Sequence, residues 1–264
     1  MLRARLHSAA IPRKVADVPP IDLAPIKVIL LDIEGTTTPV EFVYQTLFPY
    51  ARKNLKEFLR ENSSDPEVCK AIAALKNHRD GEIHAGKLSP PWITDTDESE
   101  VASWAEYGLW LMDQDSKAGP LKVLQGLIWQ RGYEAGQLKG QVYADVPAAL
   151  DRWSRRGKRI TIYSSGSELA QKLLFSATDY GDLTRYIGAF LDTRVGAKSE
   201  VTSYRRIAAI EGVPEDRFLF LSDTIAELNA ARSAGMRTTL VVRAGTSEHS
   251  SEAHPVIHDL DSLA

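Results

Sequence analysis

Five short aliphatic runs, each closed by polar or small residues, set the main constraint on what this chain can fold into. Ile26-Lys27-Val28-Ile29-Leu30-Leu31 ends on Asp32, and similar runs cover Arg159 to Tyr163, Ile187 to Leu191, Phe218 to Leu221 and Thr238 to Val242. A stretch that is apolar at consecutive positions must bury both faces, which is the signature of a strand inside a parallel sheet. Helical patterns from Glu168 to Phe175, Glu200 to Glu211 and Ile225 to Ala234 separate the later runs, so the spacing predicts a doubly wound parallel-sheet α/β core. Gly157, Gly212 and Gly235 stand where helices must stop before the next strand.

The connection from the first run to the second is far longer than a βα unit requires, so a subdomain is inserted there. Its patterns are helical: Phe42 to Arg60, Pro66 to His78, Glu98 to Met112 and Leu121 to Arg131, with the loop Leu88-Ser89-Pro90-Pro91-Trp92 among them. The expected organisation is an α/β core from residues 25–44 and 141–264, with a helical cap over 45–140 that rejoins the core near Asp145-Val146-Pro147. Residues 1–24 carry Arg3, Arg5, Arg13 and Lys14 against only Asp17 and Asp22, with Pro19-Pro20 near their end. That composition fits either a transit peptide or a disordered tail. The segment is short and lacks clear helical amphipathicity, which favours a tail and a cytoplasmic location.

The bulk composition narrows the partners. A formal net charge of -3 leaves no basic excess for a nucleic-acid backbone, and no apolar run approaches the roughly 20 residues that span a bilayer. The single cysteine, Cys69, has no intrachain disulfide partner and sits on an amphipathic pattern where a buried, inert thiol is expected. Dinucleotide-binding and nucleoside-triphosphate-binding glycine loops are absent, and the scattered histidines suit surface or capping roles better than zinc.

The ligand site of an open α/β sheet lies beyond the carboxyl ends of its strands. The polar residues there are Asp32 with Glu34, Ser164 with Ser165, Asp192 with Lys198 downstream, and Asp223. Asp32 and Glu34 are two apart, so an extended backbone projects both carboxyls to one side, and Gly35 lets the chain turn. One carboxylate can attack phosphorus while another protonates the leaving oxygen and deprotonates water. Alternatively, a strand-end Asp simply accepts from the next turn. Ser164, Ser165 and Gly166 open a helix and could hold a phosphate, although Ser165-Gly166-Ser167-Glu168 is also a capping-box pattern. Asp223 beside Asp32 could hold a hard divalent cation, for which magnesium fits best, while Thr224 to Glu227 is again a plausible capping box. Lys198 could neutralise phosphate charge, but only its position distinguishes it from other lysines.

These segments resemble a known family. Asp32-Ile33-Glu34-Gly35-Thr36-Thr37-Thr38-Pro39, Tyr163-Ser164-Ser165-Gly166-Ser167, Lys198 and Leu221-Ser222-Asp223 are similar to the four ordered motifs of the haloacid dehalogenase superfamily, in the variant typical of enolase-phosphatases. The likeness extends through Leu47 to Arg52, Leu124 to Trp129, Ala170 to Phe175, Asp192 to Gly196 and Ser203 to Ala208, covering nearly everything from Ile26 to about Gly245. It implies a monomeric enzyme with one magnesium ion per subunit that acts on a small phosphate ester, 2,3-diketo-5-methylthiopentyl-1-phosphate, in methionine salvage. By the same resemblance Asp32 is nucleophile and metal ligand, Glu34 a ligand through its carbonyl, and Asp223 the third ligand, while Ser164, Ser165 and Lys198 hold the phosphate. The Glu34 carboxyl is then left for acid/base work. Asn229 departs from the pattern, standing where many relatives carry an acid, and the resemblance assigns no substrate contact from the cap.

Overall fold

The computed structural model describes residues 21–245, 251 and 253–263. Six parallel strands form one sheet: β1 (Val28–Leu31), β2 (Arg159–Tyr163), β3 (Ala189–Leu191), β4 (Phe218–Ser222), β5 (Arg237–Val241) and β6 (Val256–Ile257), in the spatial order β3-β2-β1-β4-β5-β6. The five expected runs all supply strands. The sixth was not anticipated, because two apolar residues after Pro255 are too few to show any periodicity.

The continuous apolar character of the strands follows from burial on both faces. In β1 every residue is buried; Ile29 and Leu31 join one apolar cluster, whereas Val28 and Leu30 join another. The same alternation holds in β4, where Leu219 and Leu221 face the first cluster and Phe218 and Phe220 the second. Successive side chains point to opposite faces, so a strand covered on both sides needs no polar residue until it leaves the sheet. The helices α8 (Val201–Glu211) and α9 (Ile225–Ser233) supply Tyr204, Ile207, Leu228 and Ala231 to the second face. The first face takes Leu150 and Trp153 from α6 (Val146–Arg155) and Leu174 and Phe175 from α7 (Glu168–Ser176).

Between β1 and β2 the chain forms α1 (Val40–Phe42), a π-helical turn over Val43–Leu47, α2 (Phe48–Glu61), α3 (Pro66–His84), α4 (Asp97–Asp113) and α5 (Gly119–Glu134). Ala51, Leu55, Phe58 and Leu59 give α2 one apolar stripe, which packs on α4 and α5. Asp65 accepts from the Glu67 and Val68 amides to start α3, and Thr96 with Ser99 forms a reciprocal capping box on α4. α3 runs six residues beyond its expected end at His78, since Gly81 is tolerated within it. No helix among the described residues is long and apolar enough to cross a membrane.

Of the expected N-terminal tail, residues 1–20 lie outside the described residues. Its last part differs from the expectation: Leu23 is buried in the first cluster, and the Lys158 ammonium donates to the Leu23 and Ile26 carbonyls at 2.7 and 2.6 Å. A short, proline-broken segment carries no periodic signal, yet here Leu23 finds an apolar neighbour and a donor for its carbonyl. Cys69 is also exposed rather than buried, because the inward face of α3 is taken by Val68, Ala71, Ile72 and Leu75.

One buried cation ties the loop after β1 to the segment rejoining the core. The Arg243 guanidinium donates twice to the Thr36 carbonyl, at 2.9 and 2.6 Å, and once to Asp145 Oδ2 at 2.6 Å, while lying over the Tyr143 ring. Removing one partner of such a pair leaves the other buried and uncompensated. Arg243→Met is expected to lower unfolding stability by about 3–5 kcal/mol in urea titrations; a loss under about 1 kcal/mol would show that the tie contributes nothing.

Candidate active site

Strand order reverses at the β1–β4 junction, since the chain proceeds from β1 to β2 and β3 on one side and then to β4 and β5 on the other. The crevice beyond such a junction is where open α/β sheets bind ligands. Asp32 follows β1 with its amide bonded to the Leu221 carbonyl at 3.0 Å, and Asp223 follows β4, so parallel pairing delivers both carboxylates to one edge.

Asp32 is 3% exposed. Its Oδ1 accepts from the Ile33 amide at 2.7 Å and from the Lys198 ammonium, and its Oδ2 lies 3.2 Å from the Ser222 hydroxyl. Lys198 also pairs with Glu227 Oε2 at 2.7 Å. Burial alone would lower the Lys198 pKa, but Asp32 and Glu227 outweigh it and hold the lysine firmly protonated. Two tyrosines fix the loop that carries it: Tyr204 donates to the Lys198 carbonyl at 2.7 Å and Tyr163 to the Gly196 carbonyl at 2.9 Å.

Around this one cation stand more carboxylates than it can neutralise. Burial and the charge of Asp32 push the Glu34 and Asp223 carboxyls above the usual carboxylate range, and push Glu227 up to about 7. Gly35 makes the close approach possible. Its φ is +70°, and an added Cβ would lie 2.1 Å from Asp223 Oδ2, so any side chain there would displace that carboxylate.

Neither capping box forms as its sequence pattern suggests. The cap of α7 is Ser167, whose hydroxyl accepts from the Ala170 amide at 3.3 Å, which leaves Ser165 outside the cap. Ser164 Oγ accepts from the Gly166 amide at 3.0 Å and reaches Glu34 Oε2 at 3.4 Å. Thr224 makes no side-chain cap on α9; its hydroxyl donates to Asp223 Oδ1 at 2.9 Å, and Glu227 turns to Lys198 and Ser222. Thus Asp32 contacts Lys198 and Glu34 contacts Ser164, Asp223 lies against Gly35, and Ser165 lines the adjoining cavity with Glu34 and Ser164. Asp192 does not join them: Arg194 binds both its oxygens and keeps its pKa low despite burial. Asn229, at the departing position, accepts from His254 Nε2 at 3.0 Å. His254 and His258 flank β6 and are occupied by Thr238 and the Val242 carbonyl respectively.

Among the described residues no three His, Cys, Asp or Glu side chains group as a metal cage. The donor chemistry nevertheless fits a hard divalent cation. Two carboxylates, Asp32 and Asp223, with one backbone carbonyl at Glu34 would supply only oxygen, and burial, then Asp32, raises the Asp223 and Glu34 pKa, a pressure that a bound cation would relieve.

The site opens into a cavity of about 420 Å³ between the sheet edge and the helical insertion. Its walls are mainly apolar, with Leu47, Phe48, Leu121 and Trp129 from the insertion facing Ser164–Ser167 of the core. The π-helical turn contributes Val43, Tyr44 and Leu47, and the Lys122 ammonium crosses to the Ser165 carbonyl at 3.0 Å. Sequence reasoning missed the wall residues of α5. Their signal is the spacing Leu121, Gln125, Trp129, one face of a helix that holds a single amide.

Comparison with known proteins bears on the same region. Residues 26–235 match the haloacid dehalogenase-like hydrolase family. Enolase-phosphatase E1 of Parvibaculum lavamentivorans is 46% identical over 83% of this chain and 86% of its own length. That of Synechococcus elongatus is 44% identical over 90% and 98%. Among solved structures, the UTR4 protein of Saccharomyces cerevisiae has a TM-score of 0.70 at 33% identity, covering 89% of this chain and 98% of its own. A phosphatase from Thermococcus onnurineus, at TM-score 0.54 and 18% identity, shares the fold.

The Glu227 carboxyl yields a pH test. Its folded pKa of about 7 exceeds the ordinary 4.5, so the stability its proton confers is complete below pH 4.5 and lost as pH rises through about 7. In metal-free protein, urea midpoints should decline across that window, and Glu227→Gln should flatten the decline; parallel curves for the two proteins would contradict the assignment.

Proposed function

The chain belongs to the haloacid dehalogenase-like hydrolases and, within them, to the enolase-phosphatases, and on that footing we propose that it converts 2,3-diketo-5-methylthiopentyl-1-phosphate to the acireductone and inorganic phosphate in methionine salvage. The observation that carries this reading is the buried Asp32 carboxylate, held by Lys198 and Ser222 two residues before Glu34, which with Ser164 and Ser165 lines a largely apolar cavity. A cytoplasmic monomer is the corresponding form.

In the first step the Glu34 carboxylate removes a proton from the carbon between the phosphate oxygen and the nearer carbonyl, and that carbonyl becomes an enolate, whose oxygen takes a proton from water to give the enol while Glu34 keeps the one it removed. Glu34 suits this because burial and Asp32 raise its pKa, making it a better base than a solvated carboxylate. Asp32 then attacks phosphorus, the phosphorus–oxygen bond to the enol carbon breaks, and Glu34 returns its proton to the leaving oxygen. Water next attacks the aspartyl-phosphate with Glu34 again as base, regenerating Asp32 and releasing phosphate. Lys198, Ser164 and Ser165 hold the phosphate oxygens, Lys198 neutralising charge and the serines donating. A magnesium ion bound by Asp32, Asp223 and the Glu34 carbonyl would offset repulsion between phosphate and the attacking carboxylate and stabilise charge in the in-line displacement. The helical insertion, residues 45–140, acts as the cap that keeps bulk water from the enol.

The test follows enol formation and phosphate release together on the diketo-phosphate with magnesium. Enol is expected before phosphate, and Asp32→Asn should reduce phosphate release by roughly 10³-fold or more. Exhaustive chelation should stop release until magnesium is restored. Phosphate without an enol phase would make this a simpler phosphomonoesterase, and full activity after chelation would favour metal-independent, dehalogenase-like chemistry.

A further inference from the structure

The wall of the cavity contributed by α5 has a composition that the phosphate chemistry does not use. Leu121, Gln125 and Trp129 recur at intervals of four, so they share one face of the helix, and all three line the cavity. Gln125 is 6% exposed, yet among the described residues its side-chain amide has no hydrogen-bond partner. Its polar atoms are not sealed from solvent, so the amide faces the cavity with its hydrogen-bonding capacity open to water or a ligand. Gln171, which also lines the cavity, commits its Nε2 to the Gly166 and Leu191 carbonyls, while its Oε1 is sealed from solvent without a partner. The height of Gln125 over the site is fixed by its neighbour. Lys122, one turn earlier, spans from the insertion to the Ser165 carbonyl, joining the helix to the loop proposed to hold phosphate.

Resting on the enolase-phosphatase reading, we propose that Gln125 is the specificity-determining residue of the cap: its amide hydrogen-bonds the uncharged carbonyl oxygens of a phosphate ester whose apolar tail lies against Leu47, Phe48 and Trp129. The chemistry matches the wall. A single amide donates to a ketone oxygen and accepts from the enol hydroxyl that replaces it, so it can follow the substrate through enolisation without a change of charge. Because Gln125 touches the carbonyl end rather than the phosphate, its effect is confined to esters that carry oxygens next to the ester carbon. A site built around such a contact discriminates strongly against analogues lacking the oxygen.

The experiment compares kcat/KM for the diketo-phosphate with that for a straight-chain alkyl phosphate of similar length, in the wild-type protein and in Gln125→Met, with magnesium present. Methionine matches the length of glutamine and suits the apolar surroundings, and a melting curve establishes that the variant is folded. The expected result is a wild-type preference for the diketone ester that falls by about 10- to 100-fold in the variant. A preference unchanged by the substitution, including equal losses on both esters, overturns the inference. Should that variant not fold, Gln125→Leu is measured in the same way: a comparable fall in preference supports the contact, and an unchanged preference overturns it. Failure of the underlying reading looks different, because the wild-type protein would then show no enol phase with the diketo-phosphate at all.

Discussion

The contact between the Lys198 ammonium and the Asp32 carboxylate is the constraint to which the rest of the site answers. Burying a carboxylate at the edge of a sheet is costly unless a cation accompanies it, and a cation so placed is costly without its own partners. Asp32 and Glu227 share the lysine, Tyr204 and Tyr163 anchor its loop, and Ser222 lies within hydrogen-bonding distance of both carboxylates. Burial, and after it the charge of Asp32, keeps Asp223 and Glu34 under upward pKa pressure. A divalent cation at the strand ends would relieve that pressure by favouring their charged forms.

Delivering these groups to one point is the work of the parallel sheet. Register pairs Leu31 with Leu221 in β4 and with Ile162 in β2, so the residues that follow these strands emerge side by side. The loop between β1 and α1 is then held from the opposite direction. Arg243 grips the Thr36 carbonyl, and Asp145, which binds that arginine, also accepts the Leu260 amide at 2.6 Å. The nucleophile loop, the return from the insertion and the C-terminal segment are therefore fixed by one buried charge pair. The insertion shares the first apolar cluster with the sheet, so its cavity wall is part of the core rather than a loosely attached lid.

Much of the fold was legible because its signal is local or periodic. Aliphatic runs closed by polar residues gave five of the six strands, and the helices of the insertion follow from 3.6-residue periodicity. Val256-Ile257 was hidden because two residues have no period, and Leu23 because its burial depends on Lys158 and the core, far away in sequence. The π-helical turn at Val43–Leu47 was equally hidden, since its residues fit an ordinary helical pattern and only the geometry of the junction sets the extra residue per turn. At the site, Ser165-Gly166-Ser167-Glu168 and Thr224 to Glu227 each supported two readings. Capping and ligand binding draw on the same hydroxyls and carboxyls, so the sequence does not separate them.

By itself the sequence determined the parallel α/β core, the insertion after the first strand and the set of polar residues at the strand ends, because consecutive apolar positions and their boundaries are local properties of the chain. Only the tertiary structure decided which of those residues act together. Asp192 and Lys198 are equally polar and lie six residues apart, yet Arg194 takes up the first while the second reaches across to Asp32. Likewise Gln125 is one glutamine on a helix until folding sets its amide, unpartnered among the described residues, against the cavity. Charge compensation and hydrogen-bond satisfaction depend on what lies within a few ångströms, and for these residues that neighbourhood comes from parts of the chain far apart in sequence.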